Sequence, residues 1–198
     1  AAADAVRRAN PLTDLRPLPS DAAADLVVLA RPWAASDPLA AGVHRSGVPH
    51  LVATVRGQTG VVGPLVVPGV TSCLHCADLH RRDAEPRWPG LVAQLTAREP
   101  PPSGATITCL LTAATAALQV LSYLDGSAAP GVLEATIELR PPHLTPRVRR
   151  WPPHPACPCG AVDRRSATGR RAAPATCEGG PSTGPLGADD PGEGTMGS

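Results

Sequence analysis

Lysine and phenylalanine are absent from this 198-residue chain, tyrosine and methionine occur once each, and all 18 basic residues are arginine. Arginine, alanine, proline and glycine share GC-rich codons, so the bias speaks first of the genome. The missing lysine nevertheless has a chemical consequence. It excludes a Walker lysine, a Schiff-base lysine and any lysine general base. Charge of one sign is also lacking: 18 basic residues face 17 acidic ones, a formal charge of +1. No run of like charge offers an electrostatic footprint for nucleic acid. The opening AAADAVRRANP is a short amphipathic stretch without the basic start and long apolar segment of a signal peptide, so a cytoplasmic location is expected. The most apolar run, 105–124, is interrupted by Thr106, Thr108, Thr112, Thr115, Gln119 and Ser122. That pattern reads as a buried helix rather than a membrane span.

What is present has the order of an α/β protein. Asp25 to Ala30, DLVVLA, is an aliphatic run of strand length, as for a strand buried on both faces of a parallel sheet. Ser36-Asp37-Pro38 then supplies a capping residue and an early proline, starting a helix that stops near Gly47. His50 to Val55 forms a second strand, and strand, helix, strand predicts a parallel crossover. From Gly60 the stretch GVVGPLVVPG, punctuated by Gly63, Pro64, Pro68 and Gly69, predicts short antiparallel strands with turns. Helices follow from Cys73 to Arg82, over 88–98, and near 105–124, the last terminated by Gly126. Val132 to Arg140 and Arg147 to Trp151 read as two further strands. The fold class is thus α/β: a partial Rossmann-like parallel sheet with an antiparallel extension over 1–160. Beyond it, 161–198 holds eight glycines and four prolines with few aliphatics. Such a segment buries too little to offset its ordering entropy and reads as a disordered tail.

Six cysteines in a cytoplasmic chain point to metal or redox chemistry before disulfides. Four of them form two short knuckles, Cys73-x-x-Cys76 and Cys157-x-Cys159 in HPACPCG. A structural zinc ion takes four soft ligands in a tetrahedron, and two knuckles supply two each. Other readings stand beside this one. Cys73 and Cys76 form a redox pair in one, and in another a flanking His75, His80 or His154 replaces a cysteine. Cys109 falls in the apolar helix and reads as a packed core thiol, while Cys177 sits unpaired in the tail.

The succession DLVVLA, a short helix, GVPHLVATVRGQTGVVGPLVVPGVTSCLHC, an apolar Ala/Thr helix ending LSYLDG, ELR and finally HPACPCG resembles the C-terminal half of the ThiF/MoeB/HesA family, which includes the ubiquitin-activating enzymes. Its most specific elements are the cysteine knuckles at Cys73, Cys76, Cys157 and Cys159 and the segment Arg56-Gly57-Gln58-Thr59-Gly60. The resemblance implies structural zinc on the four cysteines. It also implies adenylation, with ATP and magnesium, of the C-terminal carboxylate of a ubiquitin-like or sulfur-carrier protein, usually by a homo-oligomer. The chain departs from the pattern in three ways. No Gly-rich phosphate loop precedes Asp25, there is no lysine, and Arg31-Pro32-Trp33 stands where the family places its magnesium-binding aspartate. Magnesium needs hard oxygen ligands, which an arginine does not supply. Two accounts remain open: part of a longer enzyme, or a degenerate ThiF-like protein that recruits a leader peptide to a cyclodehydratase in ribosomal-peptide modification. Arg31 and Arg56, each at the end of a strand of the parallel pair, are the candidate contacts to a phosphate or carboxylate. His80-Arg81-Arg82-Asp83 reads as an exposed helix end, and Arg147, Arg149 and Arg150 as a solvated strand face.

Overall fold

The computed structural model describes residues 2–16, 24–30, 37–96, 104–143 and 145–165. Arg31, Pro32 and Trp33 lie outside them, as do Cys177 and the part of 161–198 beyond Arg165. The order of elements is α1 (Ala2–Ala9), β1 (Val27–Leu29), α2 (Pro38–Arg45), β2 (His50–Arg56), β3 (Thr59–Val66), α3 (Leu74–Ala84), α4 (Trp88–Thr96), α5 (Thr106–Asp125), β4 (Ala135–Leu139) and β5 (Pro146–Arg150). Asp37 caps α2 as its sequence implies, its carboxylate accepting from the N–H of Leu39 at 2.8 Å and of Ala40 at 3.3 Å. Gly126 ends α5 in the left-handed conformation at φ 62°.

One five-stranded sheet, ordered β1-β2-β3-β4-β5, carries the fold. Only β1 and β2 run parallel, and every later neighbour is antiparallel. On one face Leu29, Val52, Val66 and Trp151 pack with Ala40 of α2 and Leu74, Ala77 and Leu79 of α3. On the other, Leu51, Val62, Leu65 and Val132 meet Ala116 of α5. Both layers draw on alternate residues of β2, the period-two consequence of the pleat.

Residues 59–66 form one strand rather than several short ones, despite Gly63 and Pro64 in the middle. The register explains it: Leu51 faces Leu65 and Ala53 faces Val62, so Gly63 and Pro64 together stand opposite Val52. Two residues against one make a β-bulge, in which the missing proline N–H costs little and glycine supplies φ 97°. Any Cβ at Gly63 would press on the carbonyl of Ala135.

Helix α5 departs further from expectation. Among its described residues Thr108, Thr112 and Ala116 are buried, whereas Leu110 is 61% and Leu118 63% exposed. It is apolar all round and has a sheet on one side, so it buries one stripe and leaves the rest uncovered among the described residues. Two of the threonines that interrupt its hydrophobicity, Thr108 and Thr112, are therefore buried, while Thr106 is exposed. Thr112 satisfies its hydroxyl within the helix, donating to the Thr108 carbonyl at 2.7 Å. Cys109 lies on the exposed side, which corrects its reading as a core thiol. By length and composition alone the helix could cross a membrane, and one narrow stripe of it is seated on β2 and β3. The folded part also runs past Gly160, since 161–165 make a helical turn with Ala161 fully buried.

The closeness of α5 to the sheet is set by Gly60, where an added Cβ would collide with Thr112 Oγ1. Gly60→Ala is expected to cost about 1–3 kcal/mol in urea unfolding through overpacking. Combining it with Thr112→Ala, which removes the colliding atom, should recover most of that loss. Additive losses in the double variant would show that the contact does not set the spacing.

Candidate metal centre

Cys73 is the residue just before α3, in extended conformation, and Cys76 lies in the first turn of that helix. The second knuckle follows β5. Trp151 anchors it, its backbone N–H donating to the Glu134 carbonyl at 2.7 Å and its indole N–H to Thr136 Oγ1 at 3.2 Å. The turn then closes as Cys157 N–H donates to the His154 carbonyl at 2.9 Å, and Gly160 leaves it at φ 77°. Glu134 braces the same corner. It sits at φ 53°, rare for a non-glycine residue, and its carboxylate takes the Ser72 N–H at 3.4 Å and the Arg165 guanidinium. Strand β4, the loop before α3 and the turn after the second knuckle are thus joined through one side chain.

These constraints bring the four sulfurs within 4.8 Å of one another. Cys73 and Cys76 are 3.9 Å apart, and Cys73–Cys157 and Cys76–Cys159 are each 3.6 Å. Four thiolates about 2.3 Å from one ion in a tetrahedron stand about 3.8 Å apart. The spacing therefore fits a tetrahedral thiolate centre and is too long for S–S bonds. The electrostatics agree. Cys76 is held down to about 4, chiefly by the hydrogen bond from Cys73, while the same contact and then burial push Cys73 up. Burial is the first cause that raises Cys157 to about 12. Cys76 is thus the sulfur that gives up its proton most readily, while Cys73 and Cys157 are pushed the other way. A divalent ion that displaces the thiol protons removes the conflict.

No histidine joins the cluster. His75 is exposed, and His80 Nε2 bonds to the Pro152 carbonyl at 2.9 Å. His154 is buried, with Nε2 on Asp83 Oδ2 at 2.8 Å and its backbone N–H on Cys76 Sγ at 3.4 Å. It thus braces a ligand rather than being one, and the same bond holds the Asp83 carboxyl below its usual range.

Arg56 ends β2 beside a two-residue hairpin turn, Gly57-Gln58, with Gly57 at φ 57°. Its guanidinium lies on the α3 side, in a groove shared with Arg81, Trp88 and Trp151, and burial lowers its pKa against the pull of Asp78 and Glu138. Arg81 departs from the exposed helix end expected of its neighbourhood. Arg82 is exposed there, but Arg81 turns inward, its side chain 11% exposed and paired with Asp78 at 3.0 Å. The i, i+3 spacing of Asp78 and Arg81 was the available signal. The 580 Å³ hollow between β1, β2 and α5 is lined by Val28, Ala53, Val55, Ala113 and similar residues, with no charged group. Such a lining does not fit magnesium and a triphosphate.

Neither a protein-family model nor a curated protein sequence matches the chain. Solved structures do. The fold is shared with MccB. Against E. coli MccB with AMPCPP and MccA the TM-score is 0.51 at 20% identity, covering 68% of this chain and 39% of that one. The microcin C7 biosynthetic enzyme MccB in complex with N-formylated MccA gives 0.51 at 19%, over 69% and 41%. A heterocyclase in complex with substrate and cofactor gives 0.54 at 18%, over 74% of this chain and 21% of its own. The chain thus spans about two-fifths of the MccB chains.

Purified protein is expected to hold one metal ion per chain by elemental analysis. Cys73→Ser or Cys157→Ser should take this below stoichiometric. Because protons compete for the sulfurs, retention should fall as pH is lowered and hold as it is raised. Chelation should lower the thermal midpoint by on the order of 10 °C. Full metal content in either variant would overturn the four-cysteine centre.

Proposed function

We propose that this chain is a ThiF/MoeB/HesA-like module of ribosomal-peptide modification, with zinc on Cys73, Cys76, Cys157 and Cys159. Its role is to bind a peptide or carrier-protein substrate, acting in the cytoplasm and as a homo-oligomer. The observation that carries the reading is the likeness to MccB, solved with the MccA peptide, and to a heterocyclase solved with substrate. The family resemblance in the sequence, reached from the cysteine knuckles and the Arg56 segment, points the same way.

Zinc suits the site because four thiolates in a closed tetrahedron leave no open position, the arrangement of a structural rather than a catalytic ion. When bound, it supplies cross-linking and charge neutralisation. The chain's own residues do the rest: Trp151 and Glu134 fix the second knuckle, and Asp83 orients His154 against Cys76.

In full-length members of the family, adenylation activates a carboxylate with ATP and magnesium. MccB has itself been solved with ATP. The present chain has no lysine, and Arg31 stands where the family places its magnesium aspartate, so the role proposed for these residues by themselves is recruitment. The charged groove that Arg56 lines, rather than the apolar hollow beside α5, supports the choice of Arg56 as the candidate contact to a carboxylate.

Alone, the chain is expected to give no ATP–pyrophosphate exchange with either a sulfur-carrier protein or a ribosomal precursor peptide. Labelled precursor peptides should nonetheless bind saturably without nucleotide in fluorescence anisotropy. Robust exchange would replace recruitment by adenylation. Absence of both exchange and binding would leave only a zinc-stabilised structural unit.

A further inference from the structure

The groove that holds Arg56 is a charged concavity of about 690 Å³ between α3 and α4 on one side and β2 to β5 on the other. Four guanidiniums line it, those of Arg56, Arg81, Arg140 and Arg149, against two carboxylates, Glu85 and Glu138. Both carboxylates are already engaged, Glu85 by Arg87 at 2.9 Å and Glu138 by Arg140 at 2.8 Å. The floor is rigid. Arg81 pairs with Asp78 at 3.0 Å and stacks over Trp151 at 4.3 Å and Trp88 at 5.2 Å, and Trp88 Nε1 donates to Asp78 Oδ1 at 3.2 Å. Burial lowers Arg81 to about 10 against the pull of Asp78, and Arg56 and Arg149 push it in the same direction as burial. With Asp78 on Arg81 and Glu138 on Arg140, the groove still holds more guanidiniums than carboxylates, an excess that an anion offsets.

One end of the groove opens on β5. That strand pairs only with β4 among the described residues, and its whole length, Pro146–Arg150, is exposed. Charged residues on an edge strand also guard against aggregation, which accounts for Arg147 and Arg150. It does not account for Arg56 and Arg81, which reach inward from a different strand and a helix. We propose that this groove docks an extended acidic peptide segment, its carboxylates taken by Arg56, Arg140 and Arg149 and its apolar side chains resting against Val61 and Leu91.

The arrangement favours a peptide over a nucleotide. Each indole already has a guanidinium over its ring, Arg81 over both and Arg149 over Trp151, which disfavours a stacked base there. The arginines stand on β2, after β4 and on β5, spread across the sheet as spaced carboxylates require, rather than gathered on one phosphate. Arg–carboxylate pairs are planar and bidentate, so each adds direction as well as charge. This inference deepens the function proposed above and rests on it for the choice of a peptide ligand.

The test uses the full chain with its metal and a labelled peptide alternating Glu or Asp with Leu or Val. The same peptide with Gln and Asn, and inorganic tripolyphosphate, serve as comparisons. The acidic peptide is expected to bind at least about tenfold more tightly than the neutral one and to weaken as salt is raised. Arg149→Gln with Arg140→Gln, both at exposed positions, should keep the native circular dichroism and lose roughly tenfold in affinity. Equal binding of the acidic and neutral peptides, an unchanged affinity in the variant, or displacement by tripolyphosphate at equal charge would each overturn the proposal. If precursor peptides bind but ignore the arginine variant, the groove fails and the recruiting role stands. If the acidic peptide binds through the arginines while no precursor peptide binds, the recruiting role fails and the groove stands.

Discussion

Four sulfur atoms set the geometry on which the rest depends. Cys73 and Cys76 belong to the start of α3, while Cys157 and Cys159 belong to the turn after the last strand. Bringing these together closes the chain around α3, α4, α5, β4 and β5. Closing so long a loop is costly in entropy, and a bound ion is a compact way to offset it. Once α3 is pinned there, its outward turns hang over the antiparallel strands. That overhang forms the arginine groove: Arg81 can stack on Trp151 only because Trp151 leads into the second knuckle and α3 begins at the first. The cysteine cluster and the groove are thus consecutive results of one convergence of the chain.

The opposite face is built on another principle. Helix α5 approaches the sheet through small and β-branched residues, with Gly60 clearing space for Thr112. Its outer surface remains apolar and exposed in Ile107, Leu110, Leu118, Leu121 and Leu124. Contiguous apolar surface of this kind belongs to association.

Much of the fold was legible because local signals were strong: the Asp37-Pro38 cap, the aliphatic β1, the Gly126 stop and the two knuckles. What sequence misread depended on contacts between distant residues. Gly63 and Pro64 look like a strand break until the register places both opposite Val52. Cys109 and the leucines of α5 look like core until a single sheet is seen to offer burial to only one side. The cysteine centre was readable because chelation needs only residue type and spacing. By contrast, the arginine groove gathers residues from β2, α3, the end of β4 and β5, and no linear motif records that convergence. Asp78 and Arg81 carried a faint helical signal, but Arg149 carried none apart from alternation on a strand.

X-ray absorption at the edge of the bound metal addresses the cysteine cluster most directly. The account predicts zinc surrounded by four sulfur neighbours at about 2.3 Å and no nitrogen or oxygen in the first coordination sphere. A shell containing imidazole or oxygen ligands, or a chain whose cysteines are oxidised and hold no metal, would contradict it.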